Sequence, residues 1–406
     1  MFRALNAGMV RLMPIFYIRV NPFLNIRSSA EGEWRDYLLQ PPGEGGGMEM
    51  NMNKGGDSIA PYVSDSFSLL PQAVSGTDLP KHRVMLVGDS NTMPLYGAQV
   101  RTILSQVFAE VSVFTFKAGE EHKNLESIER LLLELMERRF DRSDCIAALG
   151  GGVTGDMAGF AAAIYLRGIP VIQLPTSLLA QIDSSIGGKT GIDFKGYKNM
   201  VGAFHMPALV YTNTSVLKTL PDEQFTSGMG EVIKSALLAD AGFFNWLLER
   251  QDEILKRDRD TLYEMIRRTA GIKTEIVRRD PTEKGERALL NLGHTVGHAV
   301  EKAKNFSMLH GDCVAVGLAA AVHISAERGL LSDEEVSSIR TACTLFGLPL
   351  TVRGVSAEEI LRITKSDKKM ASGQIRFILL EGIGKAFIAA DVTDEELLSG
   401  IRSVLL

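Results

Sequence analysis

Between residues 83 and 177, short apolar runs alternate with longer stretches of helical periodicity. Arg83-Val-Met-Leu-Val-Gly-Asp-Ser-Asn reads as a buried strand ending in Asp89 and Asn91, and Val111 to Phe116 as a second. Asn124 to Arg139 repeats its apolar positions every three or four residues, as a helix with one buried face does. Asp144-Cys-Ile-Ala-Ala-Leu is a third strand, followed by a glycine turn and a run of small apolar residues, Met157 to Tyr165, suited to a helix packed on a sheet. Pro170 to Pro175 is a fourth strand, and Thr176 and Ser177 open another helix. This alternation predicts a parallel sheet with helical crossovers. From Leu220 onward the pattern is helical, beginning at Pro221 and Asp222, and no internal repeat is visible. The expected architecture is a Rossmann-like α/β domain over residues 57–219 and an all-α metal-binding domain over residues 220–406. The active site is expected in the cleft between them.

The segment from Glu286 to Lys304 carries the strongest chemical signal. Read as one helix, it puts Arg287, Asn291, His294 and His298 on one face at spacings of four, three and four. Leu289, Leu290, Leu292, Val296, Ala299 and Val300 make the rest of its girth apolar, which predicts burial. Burying unpaired Arg, Asn and His is costly, so the stripe needs a partner, and a divalent cation with an anionic ligand would supply one. Glu231, in Gly228-Met-Gly-Glu-Val-Ile-Lys, and His310, in Leu309-His-Gly-Asp, are further candidates from neighbouring helices. Gly293 and Gly297 each cost ~1 kcal/mol relative to alanine inside a helix, which implies close approach of another backbone or a ligand. Imidazoles plus one carboxylate suit zinc with an open coordination position. Spacing alone does not choose which histidines are ligands. Cys313, three residues past His310, is read as a small buried residue.

Two glycine-rich segments point to anions. Gly150, Gly152 and Gly155 fit G-x-G-x-x-G between a strand and a helix, a place where backbone and helix N-terminus receive a diphosphate. The acid usual about 20 residues later is missing, so this is not an ordinary dinucleotide fingerprint, and Asp89 and Asn91 are the candidates for ribose hydroxyls. Gly187-Gly-Lys-Thr-Gly-Ile-Asp-Phe-Lys-Gly-Tyr-Lys-Asn reads as a loop that offers Lys189, Lys195 and Lys198 to a phosphate or carboxylate after Asp183.

Composition narrows the class. The 406-residue chain is 45% apolar and 23% charged with a net charge of −5, which suits a two-domain globular enzyme. Slight acidity argues against a nucleic-acid partner. Cys145, Cys313 and Cys343 are widely spaced with no Cys-x-x-Cys, as expected in a reducing cytoplasm. No stretch reaches the ~20 apolar residues of a membrane span, and Leu12 to Val20 is interrupted by Arg19. The N-terminus, with Arg3, Arg11, Arg19 and Arg27 and no acid, has a transit-peptide bias. Residues 41–56 read as a flexible linker in which Met48, Met50 and Met52 are alternative starts. Residues 1–56 are therefore expected to be a disordered extension or linker outside the fold.

Taken together, Gly-Gly-Gly-Val-Thr-Gly-Asp, Leu-Pro-Thr-Ser-Leu-Leu-Ala-Gln-Ile-Asp-Ser-Ser-Ile-Gly-Gly-Lys-Thr-Gly-Ile-Asp, Gly-Glu-Val-Ile-Lys and Asn-Leu-Gly-His-Thr-Val-Gly-His-Ala resemble the 3-dehydroquinate synthases, from about Val84 to Ala386. The resemblance implies NAD and one divalent metal, zinc before cobalt, as cofactors. It implies a carbon–oxygen lyase, the second enzyme of the shikimate route to aromatic amino acids, acting on 3-deoxy-D-arabino-heptulosonate 7-phosphate. The chemistry so implied is transient oxidation at C5, β-elimination of phosphate, re-reduction, ring opening and aldol closure, with NAD regenerated each turn. It makes Glu231, His294 and His310 the metal ligands and His298 a non-ligating active-site residue. Asp183, Lys189, Lys198, Asn199, Lys234, Lys273, Arg287, Asn291 and Lys368 match substrate positions. Arg167, in Tyr-Leu-Arg-Gly, matches an arginine that reaches the partner subunit's substrate, so a homodimer is implied. Asp89, Asn91, Glu120, Lys123, Gly151, Gly152, Val153, Asp156, Thr176, Ser177 and Thr219 match NAD positions, with Lys189 and Lys198 also bordering the cofactor.

One departure is Gln224 after Glu223, where the family commonly has an acid two positions before Thr226; it touches one cofactor contact. Other readings are a further sugar-phosphate cyclase such as a deoxy-inosose or valiolone synthase, an iron or zinc polyol dehydrogenase of the same fold, and an inactive NAD-binding regulator. The intact lysine motif and Asp367-Lys-Lys favour the dehydroquinate reaction over other cyclases. A dehydrogenase has no need of so many lysines, and a dead regulator would have lost metal ligands.

Overall fold

The computed structural model describes residues 60–369 and 376–406, with side chains as far as Ser366 in the first span. The extension expected over residues 1–56 lies outside the described residues, as does the side chain of Lys368.

Among the described residues, eight strands precede residue 214: β1 (Tyr62–Ser64), β2 (Arg83–Asp89), β3 (Glu110–Phe116), β4 (Cys145–Gly150), β5 (Val171–Pro175), β6 (Lys189–Phe194), β7 (Tyr197–Phe204) and β8 (Leu209–Asn213). Six of them form one parallel sheet in the order β1-β8-β5-β4-β2-β3. Four helices accompany it: α1 (Leu70–Ser75), α2 (Ala98–Leu104), α3 (Leu125–Glu137) and α4 (Gly152–Ile164). The sheet is buried on both faces. Val84 and Leu86 of β2 pack with Leu70, Val100 and Leu104 on one side. Met85 and Val87, alternating with them, pack with Ile128, Leu131, Leu135 and Met157 on the other. A sheet covered this way writes unbroken apolar runs into its strands, which is why those strands stand out in the sequence. β3 and β4 flank β2 on opposite sides, so the strand order reverses there and a crevice opens at the carboxyl ends of β2 and β4.

The lysine loop is instead an antiparallel hairpin. β6 pairs with β7 across a tight turn in which Lys195 and Gly196 have φ of 52° and 82°. Gly191 and Gly202 face each other, and a Cβ on Gly202 would sit 2.1 Å from the Thr190 carbonyl oxygen. These glycines serve close strand pairing, whereas glycine content alone suggests a mobile loop.

The second half is helical: α5 (Asp222–Ala239), α6 (Ala241–Glu249), α7 (Gln251–Leu255), α8 (Arg259–Arg279), α9 (His294–Ala303), α10 (His310–Glu327), α11 (Asp333–Leu345), α12 (Ala357–Lys369) and α13 (Asp394–Ser403). One antiparallel hairpin, β9 (Phe377–Gly382) with β10 (Lys385–Ala389), is added to the expected helices. α10 is buried from Val314 to Val322 and is the axis against which α5, α9, α13 and β9 pack.

The single helix expected over residues 286–304 is broken. Glu286–Asn291 is a 3-10 turn, and α9 starts only at His294, after Gly293 at φ 78°. A Cβ on Gly293 would lie 2.9 Å from both Leu318 N and Val314 O, and one on Gly317 would lie 1.9 Å from Gly293 O. The break thus lets α9 and α10 meet backbone to backbone. His294 and His298 still share a face of α9.

Candidate active site

Three helices converge on one carboxylate. α5 carries Glu231 and, one turn on, Lys234; α9 carries His294 and His298; α10 begins at His310. The approach is close: Gly311 N donates to Ser227 Oγ at 3.0 Å, and a Cβ on Gly230 would meet Gly311 O at 2.5 Å. Glu231 is 1% exposed. Its Oε1 lies 3.3 Å from His294 Nε2 and 3.5 Å from His310 Nε2, and its Oε2 pairs with Lys234. Burial works against the charged carboxylate, yet Lys234 and His294 hold its pKa well below the usual range. Neither oxygen makes a regular hydrogen bond.

The imidazoles of His294, His298 and His310 place ring nitrogens within 4.8 Å of one another. His294 Nδ1 is 3.1 Å from the Leu292 carbonyl oxygen, which fixes Nδ1 as a donor and turns Nε2 toward Glu231. His310 points Nε2 toward Glu231 and Nδ1 toward Glu301, both at 3.5 Å. His298 is the exposed member of the three, and crowding by protein atoms and the two neighbouring imidazoles hold its pKa below the ordinary imidazole value. A buried carboxylate that pairs with one lysine and turns its other oxygen to two imidazole nitrogens is a donor set that a zinc-type divalent cation would fit.

Beside this cluster lie Lys189, Lys198, Lys234, Lys273 and Arg287, each held by an acceptor. Lys273 Nζ, on α8, donates to the Asp183 carbonyl at 2.6 Å and carboxylate at 2.5 Å. Burial lowers the Lys273 pKa, against the pull of Asp183. Arg287 is 2% exposed, and its guanidinium donates to Pro281 O at 2.6 Å and Gly187 O at 3.1 Å. Asn291 donates to Glu283 at 3.1 Å, and Lys189 pairs with the same carboxylate. Lys198 Nζ, on β7, donates to Glu301 at 2.9 Å.

At the crevice, α4 opens with Gly151, Gly152 and Val153 and has no side-chain cap, so its first amides remain available to an anion. Asp89 accepts from the Asn91 and Thr92 amides at 2.8 Å each and from Thr154 Oγ1 at 3.2 Å. Lys123 is 4% exposed and bridges Asp156 at 2.7 Å and Asn199 at 2.6 Å, tying α4 to the β6–β7 hairpin. Glu120 lies 3.7 Å from Lys198. Thr176 N donates to Gly150 O at 2.9 Å, and Ser177 faces Gly151. Thr219 meets the Tyr96 hydroxyl at the far end.

Arg167 stands apart, exposed on a turn where Leu166, Arg167 and Gly168 all have positive φ. Glu283 and Glu301 were not singled out by sequence reasoning. Glu301 lies three residues past His298 and seven past His294, so one more turn of the same stripe reaches it. Glu283 sits in an irregular segment and carries no periodic signal.

Residues 113–227 match the family described as 3-dehydroquinate synthase N-terminal, and residues 228–370 match 3-dehydroquinate synthase C-terminal. The 3-dehydroquinate synthase of Nitrosospira multiformis is 45% identical over 316 residues, 77% of this chain and 86% of that protein. Among solved structures, 2-epi-5-epi-valiolone synthase from Streptomyces hygroscopicus subsp. jinggangensis, with NAD+ and Zn2+ bound, superposes with a TM-score of 0.80 at 26% identity, covering 88% of this chain and 99% of that one. A 2-deoxy-scyllo-inosose synthase complexed with carbaglucose-6-phosphate, NAD+ and Co2+ gives 0.74 at 25% identity, covering 83% and 95%.

Proposed function

This chain belongs to the 3-dehydroquinate synthase family, and we propose that it converts 3-deoxy-D-arabino-heptulosonate 7-phosphate to 3-dehydroquinate and phosphate. NAD and one divalent metal, zinc before cobalt, are its cofactors. The observation that carries the reading is the buried Glu231 carboxylate, without hydrogen bonds, faced by Nε2 of His294 and His310 and bordered by lysines. When bound, NAD supplies a hydride acceptor that is also the returning donor, and the cation supplies Lewis acidity toward a substrate hydroxyl.

Glu231, His294 and His310 would hold the cation. His298, which makes no hydrogen bond among the described residues, fits the role of a substrate-facing histidine. Lys189, Lys198, Lys234, Lys273, Arg287, Asn199 and Asn291, with Asp183 holding Lys273 and Lys368 completing the set, receive the carboxylate and phosphate. Cations already fixed by carboxylates, or for Arg287 by backbone carbonyls, need little reorganisation as charge builds on the departing phosphate. Their enclosure also restricts the ring-opened intermediate to the geometry of aldol closure. Gly151, Gly152 and Val153 receive the NAD diphosphate at the start of α4, with Asp89, Asn91, Glu120, Lys123, Asp156, Thr176, Ser177 and Thr219 around it and Lys189 and Lys198 at the substrate side. The corresponding division is a nucleotide domain over residues 57–219 and a metal and substrate domain over residues 220–406.

A cytoplasmic homodimer completes the reading. Arg167 is poised on its strained turn to serve a partner's site, and Leu166, Tyr197, Met200, Phe204 and Met206 are exposed apolar residues around that turn and the hairpin. The assignment predicts that His294→Ala loses metal and activity together, whereas Lys189→Ala keeps the metal and loses substrate affinity or turnover. Metal content by atomic absorption beside steady-state rates checks both. Full zinc and a normal rate in His294→Ala would overturn the ligand set.

A further inference from the structure

Glu301 has no part in the roles above, yet it is the carboxylate placed between the metal cluster and the hairpin. It is 6% exposed, on the same face of α9 as His294 and His298. Its two oxygens are divided. Oε1 accepts from Lys198 Nζ at 2.9 Å, and Oε2 lies 3.5 Å from His310 Nδ1. The opposite edge of that imidazole, Nε2, faces Glu231. His294 is arranged in parallel, with Nε2 inward and Nδ1 against the Leu292 carbonyl. Each ring that turns Nε2 toward Glu231 thus has an acceptor at its other nitrogen, which orients a ligating imidazole and fixes its tautomer. For His294 the acceptor is backbone, set by the chain itself. For His310 it is a side chain whose other oxygen is held by a lysine from a different layer.

We propose that Glu301 is a positioning residue for the metal site: it orients His310 through Nδ1 and, through Lys198, makes that orientation depend on the β6–β7 hairpin. The inference rests on His310 being a ligand. The hairpin is itself anchored on the nucleotide side, since Asn199, next to Lys198, is held by Lys123 and through it by Asp156. Lys198 also stacks over Phe306 at 4.7 Å, which leaves its ammonium directed at Glu301. A path of polar contacts, with one backbone step from Asn199 to Lys198, therefore runs from α4 through the hairpin to His310.

The test is zinc affinity of the metal-stripped full-length protein, read by competition with a chromophoric chelator, together with the melting temperature of each metal-free variant. Glu301→Gln is expected to weaken zinc binding about 10–100-fold while the metal-free protein melts near wild type. Glu301→Asp recovers part of the loss. Lys198→Met weakens binding in the same direction by less. Because Glu301 acts through His310, adding Glu301→Gln to His310→Ala costs no further affinity, a non-additivity that a purely structural role would not give. Near-wild-type affinity in Glu301→Gln, or a penalty that multiplies in full onto His310→Ala, overturns the proposal. Wild-type affinity in Lys198→Met removes the link to the hairpin. Wild-type affinity in His310→Ala would instead overturn the ligand assignment, a separate failure.

Discussion

A carboxylate as buried as Glu231, with neither oxygen hydrogen-bonded, would ordinarily take up a proton, because desolvation penalises its charge. Lys234 and the surrounding imidazoles keep it ionised, so a preformed negative centre faces His294 and His310. The residue that makes this geometry possible is Gly293. Its left-handed φ lets the chain leave the 3-10 turn and start α9 at His294, pressed on the backbone of α10. Gly293→Ala meets both a backbone penalty and a contact at 2.9 Å with Val314 O. A loss of about 2 kcal/mol or more is expected in urea unfolding, with weaker zinc binding because His294 follows directly. An unchanged unfolding midpoint would show that α9 does not depend on this turn. In the sequence Gly293 marks a close approach, but a glycine does not reveal its φ, and the periodicity of the histidine face runs through it as if residues 286–304 were one helix. Spacing likewise put three histidines within reach of a metal without saying which ring nitrogens point inward, because ring orientation is set by acceptors that come from elsewhere in the chain.

Helix ends do much of the joining in the second half. α10 finishes at Arg328, which donates to both oxygens of Glu396, from Nε at 2.6 Å and from Nη2 at 2.9 Å. Glu396 is also the third residue of α13 and closes a reciprocal cap with Thr393. Arg328 and the Thr393 amide lower its pKa from about 4.5 to about 2. A carboxylate depressed in the folded state stabilises above its unfolded pKa and ceases to as pH falls through the folded one. The stability advantage of wild type over Glu396→Gln should therefore be full above pH 4.5 and shrink toward pH 2. Urea unfolding across that range checks it, and a pH-independent difference would contradict it. β2, β4 and β5 could be read from the sequence because burial on both faces leaves continuous apolar runs, and α3 because one face is apolar. The β6–β7 hairpin could not: Tyr197, Met200 and Phe204 stay exposed, and the glycines that allow its close pairing resemble those of a loop.

The sheet and the helical half meet along the hairpin, through Lys198 on Glu301 and Lys189 on Glu283, and along the Ala180–Ser184 turn against α8, which brings the glycine crevice and the histidine cluster to a common border. That two-part plan was legible from the change of apolar period near residue 220, whereas the side chains that join the parts, Glu283 and Glu301, follow from tertiary contacts that no local pattern records. The homodimer reading predicts twice the chain mass in sedimentation equilibrium, and Arg167→Ala that stays dimeric but binds substrate more weakly. A monomer with full activity would remove Arg167 from the site. The cyclase reading itself is tested most directly by counting phosphate released from 3-deoxy-D-arabino-heptulosonate 7-phosphate by the zinc-loaded enzyme with NAD in trace amount. Many phosphates per NAD, with no NADH accumulating, is the expected result. No phosphate release, with NADH building up on simple polyols, would instead make the chain a dehydrogenase that uses the same crevice.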